Sequence, residues 1–244
     1  MKRSFVDLHL RLSSSDLVHT QTLTAKAAEL GYTFVAAPFA PGTKPDEIRK
    51  IKALCSDVGL DFVSRVDLRP RSENELLNLL RKLRRRFEIL CVLCETKEIA
   101  RQAAKDHRVD LLNFPLLDQR RRFFDRAEAE LATCSNAGFE VDVKPLLVLE
   151  GPSRVRFLSC LRREVAVAVE FRLPIVLSSG ASEVLLMRKP REVAALALLF
   201  GLKGDAALDA VSEVPAGVVK KNREKLGVGF VAPGIRLIKQ GEDC

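Results

Sequence analysis

The chain has 244 residues, 47% of them hydrophobic, enough apolar material for one core of the size α/β barrels use (about 250 residues) and too much for a disordered chain. Its longest apolar runs, at 165–169 and 193–200, fall far short of the ~20 residues of a membrane span, and residues 1–7 lack the apolar stretch and small-residue site of a signal peptide, so a cytoplasmic protein is expected. Forty lysines and arginines against 32 acidic residues leave a net charge of +8, which attracts polyanions through the summed field, nucleic acid being the commonest.

Apolar strand patterns alternate with amphipathic helix patterns along nearly the whole chain. Residues 5–8 predict a strand and 22–30 a helix that stops at Gly31. The next strand is 34–37 and the next helix 45–58, with Pro45 in its first turn and Gly59 beyond its end. A strand at 61–66 leads into a helix opened by Ser72 and Glu75, spaced as a capping box in which each side chain answers the other's free backbone N–H. Strand 89–93, helix 97–105, strand 110–114 and helix 125–137 follow, the last ended by Gly138. Strand 139–143, a long helix within 153–171, strand 175–178 and helix 190–200 complete the series.

No linker or low-complexity stretch interrupts this alternation, so the pattern predicts one domain over 1–244, an α/β fold of the TIM-like (β/α) barrel type. An open doubly wound sheet would give a similar pattern. The eighth unit is irregular: 208–226 is helical with a break at Pro215, and 227–244 reads as an extended, glycine-punctuated tail without an assigned role.

Of the six cysteines, Cys55, Cys134 and Cys160 fall in helical patterns and Cys244 is the last residue. Cys91 and Cys94 have C-x-x-C spacing but lie on a strand, where residues three apart face opposite sides. No second pair completes four zinc ligands, so buried free thiols are expected.

Barrel enzymes place their chemistry at the C-terminal ends of the strands. Asp7, His9, Asp67, Asn113, Lys144, Ser178 and Ser179 belong there. Asp7-Leu8-His9 has the alternate spacing that puts two ligands on one strand face, but with only His9, His19 and His107 in the chain a hydrolytic metal centre lacks ligands. The plain alternative is a polar strand end with a hydrogen-bonded Asp and His. Lys144 has the chemistry of a Schiff-base lysine but no convincing partners, and an exposed lysine is expected. No catalytic residue, metal site or cofactor is assigned to this chain.

The turn Ser178-Ser179-Gly180-Ala181 is a candidate phosphate-binding loop, since small residues after a strand let backbone N–H groups face a concavity. Arg188, Lys189 and Arg191 follow it, at the entry of the next helix. An ordinary tight turn is the alternative. Basic clusters recur at Arg81, Lys82, Arg84, Arg85 and Arg86, at Arg120 to Arg122, and at Lys220, Lys221, Arg223 and Lys225. A solvated helix end, favoured by the helix dipole, is the plain account of the first of these. Arginine outnumbers lysine 25 to 15, and its planar fork suits phosphate. With one Tyr and no Trp, backbone and shape reading of folded RNA is expected over base stacking. The run 193–200 is apolar nearly all round, which suggests a protein partner or cover by neighbouring helices.

Several segments together resemble the thirty-kilodalton subunit family of ribonuclease P, known in archaea as protein component 3. They are Asp7-Leu8-His9, 75–84, 108–112, Lys144-Pro145-Leu146-Leu147, Ser178 to Ala181, Arg188-x-Pro190-Arg191-Glu192-Val193 and Asn222-Arg223, in that order across most of the chain. That family is similar to a barrel superfamily of metal-dependent phosphoesterases but lacks its ligand set. The resemblance implies a (β/α) barrel that pairs with protein component 2 and other subunits and binds the catalytic ribonuclease P RNA. It implies support for endonucleolytic removal of 5′ leaders from precursor tRNA, with Mg²⁺ held by the RNA. Arg84, Arg85, Arg86, Arg108, Arg188, Arg191, Lys221 and Arg223 are then the candidate RNA contacts. A stand-alone phosphoesterase or aldolase-like barrel is the competing class.

Overall fold

Seven parallel strands follow one another in sequence order around a single sheet in this computed structural model, which describes residues 3–115, 123–227, 229–232 and 235–236. They are β1 (Val6–Asp7), β2 (Phe34–Phe39), β3 (Asp61–Leu68), β4 (Ile89–Leu93), β5 (Leu111–Asn113), β6 (Gly138–Asp142) and β7 (Ile175–Ser178). Helices α1 (Leu17–Glu29), α2 (Pro45–Asp57), α3 (Glu73–Leu83), α4 (Lys97–Ala104), α5 (Arg126–Ser135), α6 (Lys144–Val148) and α7 (Gly151–Glu170) fill the connections. After β7 come α8 (Pro190–Ala197), α9 (Gly204–Asp209) and α10 (Glu213–Leu226), then an antiparallel pair, β8 (Phe230–Ala232) with β9 (Ile235–Arg236). This is the TIM-like barrel, nearly closed. No helix among the described residues is long and apolar enough to cross a membrane.

The eighth unit explains the irregular pattern. In place of a strand, Ala210 and Val211 bridge the open edges: Leu177 N–H donates to the Ala210 carbonyl (2.9 Å) and Val6 N–H to that of Val211 (3.0 Å). Helix α10 then runs against β1, β4 and β7, and its Val219 joins the inner cluster of Val6, Leu8, Ala36, Val63, Ile89, Cys91, Leu111 and Val176. Pro215 does not break this helix. It sits in the first turn of α10, where a missing N–H loses no bond, and the interruption falls between α9 and α10.

Other boundaries moved for identifiable reasons. Helix α1 begins at Leu17 because Asp16 caps it, accepting from His19 N–H at 2.9 Å. Ser72 accepts from Glu75 N–H (3.2 Å), but the Glu75 carboxylate turns to the N–H of Arg71 (2.7 Å), so the expected box is half formed. The complete box is at α5, between Asp125 and Glu128. That helix ends at Asn136 in the left-handed conformation (φ 62°), not at Gly138. Gly138 instead opens β6, where a Cβ would lie 3.3 Å from Leu111 Cδ2 and from the Pro174 carbonyl. The run 190–200 is α8 followed by a 3-10 turn, Leu198–Phe200. Cys91 faces the barrel interior and Cys94 the helix layer, whereas Cys134, expected buried, is exposed.

Candidate functional site

Alternation along the strands builds a polar layer above the apolar floor. On β3, Val63, Arg65 and Asp67 share a face; on β5, Leu111 and Asn113; on β6, Gly138, Glu140 and Asp142; on β7, Val176 and Ser178. The floor residues are apolar, and the next ones up meet at the C-terminal end of the barrel.

Arg65 is the centre of that layer and is wholly buried. It donates Nη1 and Nη2 to the two oxygens of Glu140 (2.6 and 2.7 Å), Nε to Asp67 (2.6 Å) and Nη1 again to the Leu8 carbonyl (2.8 Å). Glu140 also accepts from Ser178 Oγ (2.7 Å) and Asn113 Nδ2 (2.9 Å). His9 Nδ1 meets Asp142 at 2.8 Å, while its Nε2 lies 3.6 Å from Asp67. Asp7 accepts from the backbone N–H of His9 (3.1 Å) and of Ser179 (3.0 Å). His9 Nε2 and the second Asp7 oxygen are buried without a hydrogen-bond partner.

These charges set one another's protonation. Burial disfavours the Arg65 guanidinium, but Asp67 and Glu140 outweigh it and hold its pKa above the usual range. Burial likewise lowers His9, and the Asp142 carboxylate more than reverses it, so the imidazole titrates above its ordinary value. Burial would raise Asp142; the charge of His9 overcomes this and brings it down to about 2. Asp7 moves the other way, its burial exceeding the help of the Ser179 and His9 hydrogen bonds.

His9, Glu140 and Asp142 can bring ligand atoms within 4.8 Å of one another, as a metal ion would need. The fit fails on Arg65, whose guanidinium already holds both Glu140 oxygens. The layer is an electrostatic lock centred on the Arg65–Glu140 pair.

The candidate phosphate loop is a turn closed on the chain's own carboxylates. Ser178, Ser179, Gly180 and Ala181 are all buried. The Ser179 N–H donates to Asp7, the Ala181 N–H to Ser179 Oγ (3.0 Å), and Ser178 Oγ to Glu140. Gly180 is left-handed (φ +62°), with Asp142 Cγ 3.2 Å from where a Cβ would be. Arg188 donates to the carbonyls of Leu185 and Met187 (2.7 and 2.8 Å), and a 3-10 turn, Val184–Leu186, separates the loop from α8. Arg191 is exposed. Lys144 is half-buried, not exposed, and donates to Ser182 Oγ (2.9 Å).

The other basic candidates differ in availability. Arg84, Arg108 and Arg223 direct their guanidiniums to carboxylates and carbonyls of the chain itself. Arg85 and Lys221 are exposed, as is Arg86, which lies over the Phe87 ring at 5.8 Å. Arg120 to Arg122 fall outside the described residues. In the run 193–200, Val193, Ala194, Ala197 and Phe200 are buried by the fold, leaving Leu198 and Leu199 exposed. Sequence reasoning missed Arg65 and Glu140. The only signal was a charge inside each strand, Arg65 in β3 and Glu140 in β6.

Comparison with known proteins places these features in a lineage. Residues 4–226 match the family described as RNase P subunit p30. Ribonuclease P protein component 3 of Methanosarcina mazei is 30% identical over 242 residues, covering 99% of this chain and 98% of that protein. The same component of Methanosarcina barkeri is 31% identical and covers 90% of each. Among solved structures, a chain of archaeal ribonuclease P with mature tRNA superposes with a TM-score of 0.83 at 21% identity, covering 98% of this chain and all of that one. A putative prolidase from Bifidobacterium longum has a TM-score of 0.58 at 13% identity, covering 90% and 70%.

Proposed function

The chain belongs to the RNase P subunit p30 family, and from that premise we propose that it is a ribonuclease P subunit that binds the catalytic RNA and supports endonucleolytic removal of 5′ leaders from precursor tRNA. The observation that carries the reading is the end-to-end match with component 3 relatives. The site supports the division of labour: Glu140, one of the three residues that could ligate an ion, has both oxygens held by Arg65. The RNA then holds the Mg²⁺ ions and does the chemistry, while basic surface on the protein screens phosphate repulsion and favours the active RNA fold. Protein component 2 and the other protein subunits are its proposed partners, in the cytoplasm.

The test is reconstitution. Ribonuclease P RNA and precursor tRNA are incubated over a Mg²⁺ series with component 2, with and without this chain. The chain should lower the Mg²⁺ needed for cleavage, and the protein alone should leave precursor tRNA intact. Cleavage by protein alone, lost on His9→Ala, would restore the stand-alone phosphoesterase reading. A Lys144-dependent Schiff base trapped by borohydride would restore the aldolase-like one.

A further inference from the structure

Cations from three distant stretches of sequence converge where α10 ends. Arg84, just past α3, donates Nη1 to Asp110 (2.5 Å) and to the Arg108 carbonyl (3.0 Å), and Nη2 to the carbonyls of Phe87 and Glu88. Arg223, in the last turn of α10, donates Nε to Glu88 (2.6 Å) and both terminal nitrogens to Asp61 (2.7 Å each). Arg108 pairs with Asp106 through two bonds of 2.9 and 2.6 Å. These arginines are internal clamps. They fasten α10 and the connections after α3 and α4 to the starts of β3, β4 and β5.

The clamps leave the neighbouring charges unbalanced. Asp61, Glu88, Asp106 and Asp110 are each neutralised by an arginine, whereas Arg85, Lys221 and Lys225 are exposed and have no ion-pair partner among the described residues. Glu224 alone among the exposed residues of that turn of α10 carries the opposite sign. Lys225 registers the crowding. Its ammonium lies below the ordinary lysine range, first through partial withdrawal from water and then through Lys221 and Arg84, with Asp110 acting the other way.

We propose that this surface, Arg85, Lys221 and Lys225 set over the Arg84 and Arg223 clamps, is where the chain takes up RNA backbone phosphates, a proposal that rests on the RNA-subunit reading above. It puts the RNA face at the N-terminal ends of the strands, opposite the end where barrel enzymes do chemistry. The C-terminal end is closed to this role, because its loop donors are engaged by Asp7 and Ser179 and its polar layer is rich in carboxylates. A polyanion fits better than a protein: none of the exposed large apolar side chains belongs to α3, α4, α10 or the connections that follow α3 and α4, and protein interfaces are built around apolar anchors. Backbone phosphate fits better than bases, since no aromatic ring among the described residues is exposed for stacking.

The experiment compares the wild-type chain with two charge-matched triple variants, Arg85→Glu/Lys221→Glu/Lys225→Glu and Arg11→Glu/Arg71→Glu/Lys189→Glu. The second set is exposed in loops at the opposite end of the barrel. The probes are a short blunt RNA duplex and ribonuclease P RNA, titrated over a salt series. Each phosphate contact adds nearly one unit to the log–log slope, so the first variant should flatten it by about two to three units and the second should leave it unchanged. Equal slopes for both variants overturn the assignment of the face. An unchanged RNA slope in the first variant, with loss of co-migration with component 2, overturns it in favour of a protein contact. A wild-type chain with no salt-dependent affinity for either RNA defeats the subunit reading itself.

Discussion

Arg65 and Glu140 face each other across the barrel interior through two parallel hydrogen bonds, 2.6 and 2.7 Å long, with neither side chain reached by solvent. A buried pair of this kind costs desolvation on both sides, and removing one partner leaves the other charge stranded. Arg65→Met should therefore destabilise the fold by about 3–5 kcal/mol in urea denaturation. Arg65→Met/Glu140→Met should cost less than the two single changes summed, because the stranded carboxylate is gone. It should not return to wild type, since Asp67 still loses the Arg65 Nε bond (2.6 Å). Strict additivity would show that the pair is not coupled.

Thermal stability should fall as the solution becomes alkaline. Burial lowers the His9 pKa but Asp142 raises it past the ordinary value. A base raised on folding contributes stability that is complete below its unfolded pKa, about 6.5, and lost as pH rises through the folded one. Asp7, raised by burial from 3.8, acts with the same sign over a more acidic window. Asp142, lowered to about 2, does the reverse: its contribution is present above 3.8 and disappears as pH falls toward 2. Melting curves from about pH 5 to about pH 9 should show a decline that Asp142→Asn largely abolishes. A flat wild-type profile would mean that His9 carries no extra proton.

Gly180→Ala and Gly201→Ala separate backbone strain from crowding. Both glycines have positive φ (+62° and +95°), but a Cβ at Gly201 meets nothing within 4 Å, whereas one at Gly180 lies 3.2 Å from Asp142 Cγ. The backbone penalty alone is about 1–2 kcal/mol. Gly180→Ala should exceed Gly201→Ala, and should also change the pH dependence of melting by moving the carboxylate that holds His9. Equal losses and equal pH profiles would reduce Gly180 to a turn residue.

Thiol labelling should sort the cysteines by environment. Cys134 is exposed, while burial pushes the Cys55 thiol up to about 12 and raises Cys91 as well. Since the thiolate is the nucleophile, maleimide at neutral pH should modify Cys134 in the native protein and Cys55, Cys91 and Cys94 only on unfolding. Peptide mapping by mass spectrometry reads this directly. Native modification of Cys91 would contradict the packed barrel interior.

The strands were the most legible part of the sequence. β4 and β7 have the predicted bounds because both their faces are buried and the apolar run stops where the strand stops. Gly138, expected to end α5, opens β6 because Leu111 and Pro174 approach it closely, a contact from two other elements. The strand-end residues Asp7, His9, Asn113 and Ser178 were legible as a group, since topology alone puts them together. Arg65 and Glu140 were not, because a charge within a strand ordinarily reads as solvent-facing and only closure of the sheet turns it inward. Nor could sequence separate free arginines from clamped ones: the partners of Arg84 and Arg223, Asp110 and Asp61, lie 26 and 162 positions away.

The two-residue bridge at Ala210 and Val211 has a consequence for how the chain is made in a cell. Translation delivers β1 long before α9, yet among the described residues one of its two flanks is satisfied only by Val211. Until α9 has emerged from the ribosome, the growing molecule is a curved, gaping sheet with bare lips at β1 and β7. Such lips are templates for pairing with a neighbouring nascent chain. The brevity of β1, two residues long, keeps that template short during the interval. Helix α10 then arrives as the late-born stopper that ends the hazard, so the same segment that shuts the finished barrel also sets how long its precursor stays adhesive.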